Sequence, residues 1–313
     1  MPPLLEHRLI VVTGKGGAGK TTIATALGLL AAGRGLHTIV AEVGQQDRLP
    51  ALFGLDGARP GVETPLQDNL HSISIDPDLA LLEWLQVLGG RISGRLLATS
   101  STFQYFAAAA PGAKELVTMV KVAELIRARR RASAAPYELV VLDAPATGHA
   151  LGMLQSPVTF GAIARVGPIA AQTRRVQQLL QDGARTAYVA VAPPAELGVT
   201  ETLELRDLLR RQLGRELDAV IVNGVLPRRF SAEELALLEQ PELRDGGEGA
   251  AAVMRAAAEA ARAVHERARF QRNQLARLRR AGLPTVTIPF RFSADLDLGA
   301  LREIASLLER RLS

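Results

Sequence analysis

Two lysines lie five residues apart in a glycine-rich turn, VVTGKGGAGKTT, at residues 11–22. They are Lys15 and Lys20, and the chain of 313 residues contains only two other lysines, although its Lys and Arg together number 37. Glycine lets backbone N–H groups wrap closely around a phosphate, and a helix that follows points its positive end at the same anion. The turn therefore predicts a phosphate-binding site that carries two lysine side chains.

The turn matches two nucleotide-binding patterns. Gly14, Gly16 and Gly19 form G-x-G-x-x-G, the dinucleotide fingerprint. The first and last of these glycines, together with Lys20 and Thr21, also form G-x-x-x-x-G-K-S/T, the P-loop. Lys20 favours the P-loop, because a triphosphate is neutralised by a lysine at its β- and γ-phosphates and by Mg²⁺ on the following hydroxyl.

Glu42 keeps the dinucleotide alternative open. It lies near the end of the second predicted strand, about where an acid would hold a ribose in a nicotinamide-binding fold. The scarcity of lysine favours the P-loop again, because few chains so poor in lysine would match G-K-S/T by chance. We therefore expect ATP and Mg²⁺ as ligands. The expected phosphate-binding residues are Gly14, Gly16, Gly17, Ala18, Gly19, Lys20, Thr21 and Thr22.

Short β-branched runs alternate with helical patterns along the chain. They predict an α/β fold with a mostly parallel, doubly wound P-loop sheet of about seven strands. The strands are expected at 8–13, 37–43, 70–75, 137–144, 186–192, 217–223 and 284–289. We expect one P-loop domain over residues 1–313. Segments 77–132 and 157–182 are predicted to be helical insertions that form a helical subdomain, and 249–281 to be one long helix.

Composition narrows the class of protein. The chain has no cysteine, which excludes disulfides, zinc–thiolate sites and cysteine nucleophiles. No signal-peptide pattern and no run of about 18 to 20 apolar residues is present, so we expect a cytoplasmic protein without an integral membrane segment. The net charge of +5 comes from arginines on predicted helix faces, and aromatic residues are only 4%, so no nucleic-acid partner is expected.

The spacing of Lys15 and Lys20 resembles the deviant P-loop, K-G-G-x-G-K-S/T, of the partition, septum-site and arsenite-pump ATPases and their relatives. In that group the first lysine reaches across a dimer interface to the nucleotide of the partner. The resemblance therefore implies that Lys15 acts on a neighbouring subunit, whereas Lys20 binds the local phosphates.

Residues 140–157, VVLDAPATGHALGMLQSP, resemble the switch II segment of the arsenite-pump and tail-anchored-protein-targeting branch, D-T-A-P-T-G-H-T-L. Asp143, at a strand end, is expected in the Mg²⁺ shell with Thr21, and Gly148 in a mobile loop that senses the γ-phosphate. VIVNGVLP at 220–227 resembles V-V-N-Q-x-x-P, which implies that Asn223 contacts adenine.

Two departures from that branch stand out. Without cysteine the chain lacks the metalloid ligands of arsenite pumps and the zinc clasp of the tail-anchor-targeting ATPase, so we expect neither arsenite activation nor a zinc site. Gly44 stands where the family has the aspartate that orients the attacking water. Glu42 and Asp47, together with Gln45 and Gln46, are the nearby side chains that remain as candidates for that role.

The sequence thus predicts a Mg·ATP-hydrolysing ATPase that works as a nucleotide-gated dimer, either with itself or with a paralogue of the same family. A hydrophobic protein client is implied by the resemblance, with the segments 79–88 and 116–120 as either groove walls or core. Two alternatives remain open, namely a slow or non-hydrolysing partner subunit of a paralogue and a positioning ATPase of the partition or septum type. The amphipathic segment 297–312 is expected to dock on the sheet, with membrane anchoring as its alternative.

Overall fold

Eight strands form one sheet in the computed structural model, which describes residues 4–44, 48–84, 112–127, 136–163, 166–238, 240, 247–292 and 296–312. They are β1 (Leu9–Gly14), β2 (Thr38–Val43), β3 (Thr64–Gln67), β4 (Leu70–Ile75), β5 (Leu139–Ala146), β6 (Thr186–Ala192), β7 (Ala219–Val225) and β8 (Thr285–Pro289). Their order across the sheet is β3-β4-β2-β5-β1-β6-β7-β8, and every neighbouring pair is parallel except β3 and β4. The predicted α/β fold with a mostly parallel sheet is confirmed.

The strand that the sequence did not predict is β3. It has four residues, contains Pro65 and pairs antiparallel with β4 at one edge of the sheet. Proline removes a ladder hydrogen bond and is tolerated at an edge, so such a strand lacks the long β-branched pattern by which interior strands are recognised. The sheet therefore has one strand more than the seven expected.

Helices cover both faces of the sheet. They are α1 (Lys20–Gly33), α2 (Arg48–Leu52), α3 (Ala113–Leu125), α4 (Thr147–Ile163), α5 (Gly167–Gln181), α6 (Glu196–Leu213), α7 (Ala232–Leu238), α8 (Gly247–Arg280) and α9 (Leu298–Leu312). Residues 77–84 are also helical. One face packs against α1, α2 and α9, and the other against 77–84, α3 to α6 and the end of α8. Strands covered on both faces read as unbroken apolar runs, as in LIVVTG of β1.

The helical layer contains α3, α4 and α5, which pack against one another. Residues 116–120 of α3 are all buried, so this segment forms core in the chain described, rather than an open groove wall. The second predicted insertion, 157–182, corresponds to α4 and α5, but α4 begins earlier, directly after β5. Residues 85–111 and 128–135 of the first insertion lie outside the described residues.

The two C-terminal helices agree with the expectations. The single long helix expected at 249–281 is α8. Helix α9 docks on α1 and β8 and buries Leu301, Ile304 and Leu308, which is the expected docking on the sheet layer. Across the described residues, no helix is both long and apolar enough to cross a bilayer.

Candidate functional site

The glycine-rich turn connects the end of β1 to the start of α1. Gly14, Gly17 and Gly19 have φ angles of 141°, 76° and 91°, a region that L side chains rarely adopt. A Cβ atom on Gly14 would lie 2.0 Å from the backbone oxygen of Val191, and one on Gly19 would lie 2.4 Å from Nδ2 of Asn223. The turn therefore requires glycine at all three positions for its backbone conformation, and at Gly14 and Gly19 for close packing as well.

Lys20 is the first residue of α1, so its side chain starts at the positive end of the helix dipole. Its Nζ donates to the backbone oxygen of Lys15 at 3.3 Å, which folds the side chain back over the turn. Partial burial lowers the pKa of Lys20, and the nearby Asp143 carboxylate opposes that shift. The lysine charge is thus held over the same loop whose amides would surround a phosphate.

Thr21 and Asp143 meet beside this loop. Thr21 is the second residue of α1, and its Oγ1 donates to Oδ2 of Asp143 at 2.5 Å. Strand β5 pairs with β1, with Asp143 opposite Val12, and this register places the carboxylate next to the P-loop. Burial raises the pKa of Asp143, while the Thr21 hydrogen bond and the charges of Lys20 and Arg48 act against that rise.

These two side chains fit a magnesium ion by their chemistry. Oδ1 of Asp143 is buried and has no hydrogen-bond partner among the described residues, so it retains a free acceptor. Mg²⁺ prefers oxygen ligands and usually takes one or two from protein, completing its shell with phosphates and water. The described residues contain no cluster of three or more His, Cys, Asp or Glu that could hold a metal, so phosphate and water would supply the remaining ligands.

Switch II differs from the expected loop. Strand β5 runs to Ala146, and α4 begins at Thr147, so Gly148 lies in the first turn of a helix. Ala146 stands where the family has proline, and proline would deprive the strand end of a backbone donor. The hydroxyl of Thr13 donates to the Pro145 oxygen at 3.3 Å and ties this strand end to β1. The γ-phosphate sensor expected at Gly148 would therefore have to act through a helix terminus.

Comparison with known proteins matches the sequence to a family. The family model described as "Anion-transporting ATPase" (ArsA ATPase) matches residues 7–166, which contain the P-loop and Asp143. The chain belongs to this ArsA-like ATPase family. ATPase BagA from Mycobacterium tuberculosis is 31% identical over 244 residues, covering 75% of this chain and 70% of that protein.

Two further relatives extend the comparison. ATPase GET3 from Candida glabrata is 24% identical over 269 residues, covering 72% of this chain and 75% of that protein. A putative arsenical pump-driving ATPase from Chlorobaculum tepidum is 24% identical over 265 residues, covering 70% of this chain and 61% of that protein. The expected family and ATPase activity are therefore confirmed.

Asn223 of this ArsA-like ATPase lies in β7 and braces the P-loop. Its Nδ2 donates to the backbone oxygen of Ala18 at 3.0 Å, which uses one of the two hydrogens of the amide group. The residue also lines an open cleft of about 1150 Å³ beside the P-loop. The bracing contact was not predicted, because no sequence pattern indicates which loop a strand-end asparagine will reach.

The same cleft has walls that sequence reasoning missed. Phe270 and Arg267 of α8 line it, and so do Phe290 and Arg291, which follow β8. Phe270 and Phe290 expose 45% and 46% of their surface, which is high for phenylalanine, because this residue is usually buried. The sequence offered one weak signal, namely phenylalanines placed among arginines in ARFQR and PFRF.

Lys15 is turned away from the phosphate loop. Its Nζ lies 3.1 Å from Oε1 of Glu201 on α6, and both side chains are about one-third exposed, at 31% and 30%. The pair stands at the rim of a groove of about 520 Å³ that is lined by Thr147, Leu205 and the neighbouring residues of α4 and α6. A pair so exposed contributes at most about 1 kcal/mol, so Lys15 can be released at little cost.

Switch I begins where β2 ends. Glu42 is 4% exposed, and the pairing of β2 with β5 places it opposite Asp143 on the neighbouring strand. Gly44 follows with φ 118°, its N–H donates to the Ile75 oxygen at 3.0 Å, and its own oxygen accepts from the Ser74 hydroxyl. Asp47, Gln45 and Gln46 lie outside the described residues.

Proposed function

We propose that this ArsA-like ATPase binds ATP as its magnesium complex at the junction of β1, α1 and β5. The observation that carries this proposal is the Thr21 hydroxyl, 2.5 Å from the buried Asp143 carboxylate and beside Lys20. Thr21 would ligate Mg²⁺ directly, and Asp143 would hold the metal or its water. The metal would neutralise charge on the β- and γ-phosphates.

The chain itself positions the nucleotide. The N–H groups of the glycine-rich turn, from Gly14 to Thr22, would surround the phosphates, and Lys20 would neutralise the β- and γ-phosphates. Asn223 would keep its contact with Ala18 and offer its free side-chain oxygen to the adenine amino group. The adenine would then occupy the cleft between β7 and α8.

Dimer formation is the second part of the proposal. Lys15 does not serve the local phosphates, because its Nζ is paired with Glu201 on the outer side of the turn. A lysine at this exposed rim can reach a second subunit that docks on the P-loop face, where a nucleotide phosphate would attract it more strongly than one exposed carboxylate does. The partner would be a second copy of this chain or an ArsA-like paralogue.

Slow hydrolysis by the isolated chain is the third part. Gly44 has no side chain to hold the attacking water, and its backbone is tied to β4 on both sides. Glu42 is buried in the sheet, and Asp47 is the remaining acid near switch I. We infer that dimer closure or a paralogue supplies the missing alignment, which favours the alternative of an unequal pair of subunits.

A hydrophobic protein client is the fourth part of the proposal. In the helical layer, Leu79 and Leu82 expose 43% and 36% of their surface, whereas residues 116–120 are buried. The exposed leucines belong to the same short helical segment, so they offer a small apolar surface that a client could extend. The residues that follow them in the chain, 85–111, lie outside the described part.

The magnesium site can be tested through one hydroxyl. Thr21→Val keeps the shape of the side chain and removes the ligand, whereas Thr21→Ser keeps the hydroxyl. We expect Thr21→Val to abolish the magnesium dependence of ATP binding measured by calorimetry, and Thr21→Ser to retain it. Equal magnesium dependence in Thr21→Val and wild type would show that the metal is held elsewhere.

A further inference from the structure

The cleft beside the P-loop has one aromatic wall whose backbone is fixed. Phe290 directly follows β8, and its N–H donates to the backbone oxygen of Val225 at 2.9 Å, which ties it to the end of β7. Its ring lines the cleft and remains 46% exposed. A flat apolar surface is therefore presented to whatever enters the cleft.

This ring lies next to the amide that braces the P-loop. A Cβ atom placed on Gly224 would lie 3.7 Å from Cδ2 of Phe290, and Gly224 directly follows Asn223 in β7. Nδ2 of Asn223 in turn lies 3.0 Å from the backbone oxygen of Ala18 in the P-loop. Phosphate loop, amide and aromatic ring thus follow one another along the wall of one cleft, in the order in which a nucleotide presents its phosphates, the edge of its base and the face of its base.

Two further side chains hold the Phe290 ring. The ring of Phe292 meets it edge to face, with centroids 4.9 Å apart and planes at 75°, which is a favoured geometry for aromatic pairs. The guanidinium carbon of Arg229, in the loop after β7, lies 4.6 Å from the centroid of the Phe292 ring, within the range of a cation–π contact. Arg229 therefore packs on Phe292, and Phe292 packs on Phe290.

Phe270 of α8 lines the same cleft without such support. It is 45% exposed, and within the described part of the chain no aromatic or cationic side chain contacts its ring. A mobile side chain loses rotational freedom when a ligand orders it, whereas a ring that is already held avoids this cost. Of the two phenylalanines, Phe290 is thus the one prepared for binding.

We propose that Phe290 stacks on the base of the nucleotide, and that Phe292 and Arg229 are positioning residues that hold its ring for this contact. This inference rests on the proposed Mg·ATP site and deepens it. Stacking on an aromatic ring strengthens the binding of any base, because every base has a π-face. Phe290 would therefore supply affinity for the base, while the Asn223 amide selects adenine by its edge.

The test compares a ligand that has a base with one that lacks it. Calorimetry measures the affinity for Mg·ATP and for Mg·tripolyphosphate, which carries three phosphates alone. Phe290→Ala removes the ring, Phe290→Tyr keeps it, and Phe270→Ala is the matched control, because it removes an equally exposed ring from the same cleft.

We expect Phe290→Ala to lose about fivefold or more in affinity for Mg·ATP, as for other bases that stack on aromatic side chains. Its affinity for Mg·tripolyphosphate should stay within about twofold of wild type, because that ligand has nothing to stack. Phe290→Tyr and Phe270→Ala should each stay within about twofold of wild type for both ligands, the first because its ring still stacks and the second because its ring is not the one held in place.

The positioning residues are tested in two backgrounds. Phe292→Leu should lower Mg·ATP affinity by about two- to fivefold, less than Phe290→Ala does, and Phe292→Tyr should restore it. Arg229→Gln should act in the same direction, and Arg229→Lys should recover part of the loss, because it keeps the charge. In the Phe290→Ala background, Phe292→Leu should have no further effect on Mg·ATP affinity, because the ring that it orients is gone.

Three results would overturn the inference while leaving the proposed function intact. The first is Phe290→Ala equal to wild type in Mg·ATP affinity, while Lys20→Ala loses it. The second is an equal loss of Mg·ATP and Mg·tripolyphosphate affinity in Phe290→Ala, which would show that the ring supports the fold of the site. The third is a loss in Phe292→Leu that persists in the Phe290→Ala background, which would overturn the positioning role. Failure of the wild type to bind Mg·ATP would overturn the proposed function and this inference together.

Discussion

The carboxyl ends of β5 and β2 lie side by side, yet they equip the site very differently. At the end of β5, Asp143 is partly buried, accepts a hydrogen bond from Thr21 and lies within the field of Lys20. At the end of β2, Gly44 has no side chain, and its backbone is tied to β4. The first strand end carries a proposed magnesium ligand, whereas the second lacks the side chain to which the family resemblance assigns the attacking water.

The difference assigns the proposed binding and hydrolysis groups to separate parts of the fold. Binding groups extend from strand ends and a helix start, where the sheet register and the helix N-terminus fix them without further support. A group that orients water must approach the phosphate at the moment of reaction, and it therefore stands on a segment that can change conformation. This chain keeps the residues that its family uses for binding and departs from its family at Gly44, in the segment that can change conformation.

The largest effect on Mg·ATP affinity is expected from Lys20→Ala, which changes one of the proposed binding groups. The variant leaves phosphate charge unpaired in a partly buried site, and losing one partner of such a pair costs about 2–5 kcal/mol. Affinity for Mg·ATP should therefore fall about 30-fold or more by calorimetry. Lys114→Ala is a suitable control, because Lys114 is an exposed lysine that pairs with Asp78 on the helical layer.

Equal losses in Lys20→Ala and Lys114→Ala would contradict the comparison, because the effect would then follow from lost charge in general. Wild type should not bind NADH. Tight NADH binding would overturn the P-loop interpretation and revive the dinucleotide alternative that Glu42 left open.

Lys15→Ala should separate nucleotide binding from dimer formation. Because Lys15 pairs with Glu201 and not with the local phosphate loop, the variant should bind Mg·ATP within about threefold of wild type. It should nevertheless fail to form the ATP-dependent dimer, measured by size-exclusion chromatography with a slowly hydrolysed ATP analogue.

Glu201→Gln is the matched variant, because it frees Lys15 without removing it. The pair is worth at most about 1 kcal/mol, so dimerisation should improve by no more than about fivefold. If Lys15→Ala and wild type give the same dimer fraction, Lys15 does not act on a neighbouring subunit.

Gly44→Ala tests the backbone conformation at the end of β2. Space for a Cβ is open there, but φ 118° is strained for any L residue, so we expect a loss of about 1–3 kcal/mol in unfolding free energy. Gly33→Ala is the control, because Gly33 ends α1 with an ordinary φ and open space, and alanine stabilises helices by up to about 1 kcal/mol. Urea unfolding measures both.

The same strain affects any attempt to restore the family aspartate. Gly44→Asp should be destabilised about as much as Gly44→Ala, so a low turnover in that variant would not by itself show that the position is irrelevant. Equal stability of Gly44→Ala and wild type would mean that the end of β2 adapts freely, and it would contradict the backbone strain inferred from φ at Gly44.

The sequence predicted the elements that carry the proposed binding groups, because those elements follow local rules. The spacing from Gly14 to Thr21 fixes a turn and a helix start, and the apolar run before Asp143 fixes a strand that ends at the same edge. The resemblance to ATPases supplied the pairing of Thr21 with Asp143 at a magnesium site. Contacts between distant elements escaped prediction. Asn223 on Ala18 and Lys15 on Glu201 join residues that no periodicity connects.

One expectation was wrong for a physical reason. Gly148 was expected in a loop from the resemblance to switch II, but in the structure it lies in the first turn of α4, directly after β5, where the start of a helix tolerates glycine.

The smallest effect is expected at the amino ends of β2, β4 and β5. His37 precedes β2, His71 is in β4 and Tyr137 precedes β5, and their rings contact one another. Glu63 accepts from the Tyr137 hydroxyl, and Glu138 accepts from the His37 backbone. Burial, and secondly the charge of His37, lower the pKa of His71 below its usual 6.5.

This shift predicts a loss of stability in mild acid. A histidine whose folded pKa is lowered binds its proton more weakly when folded, so stability is lost as pH falls from 6.5 through the folded pKa. Between about pH 7 and pH 5 the thermal midpoint of wild type should fall more than that of His71→Gln, by a difference of at most about 3 °C. Mg·ATP affinity should be the same in both proteins, because the histidines lie at the amino ends of the strands, away from the phosphate loop. Parallel midpoints would show that His71 does not titrate differently on folding, and a change in ATP affinity would show that the two ends of these strands are coupled.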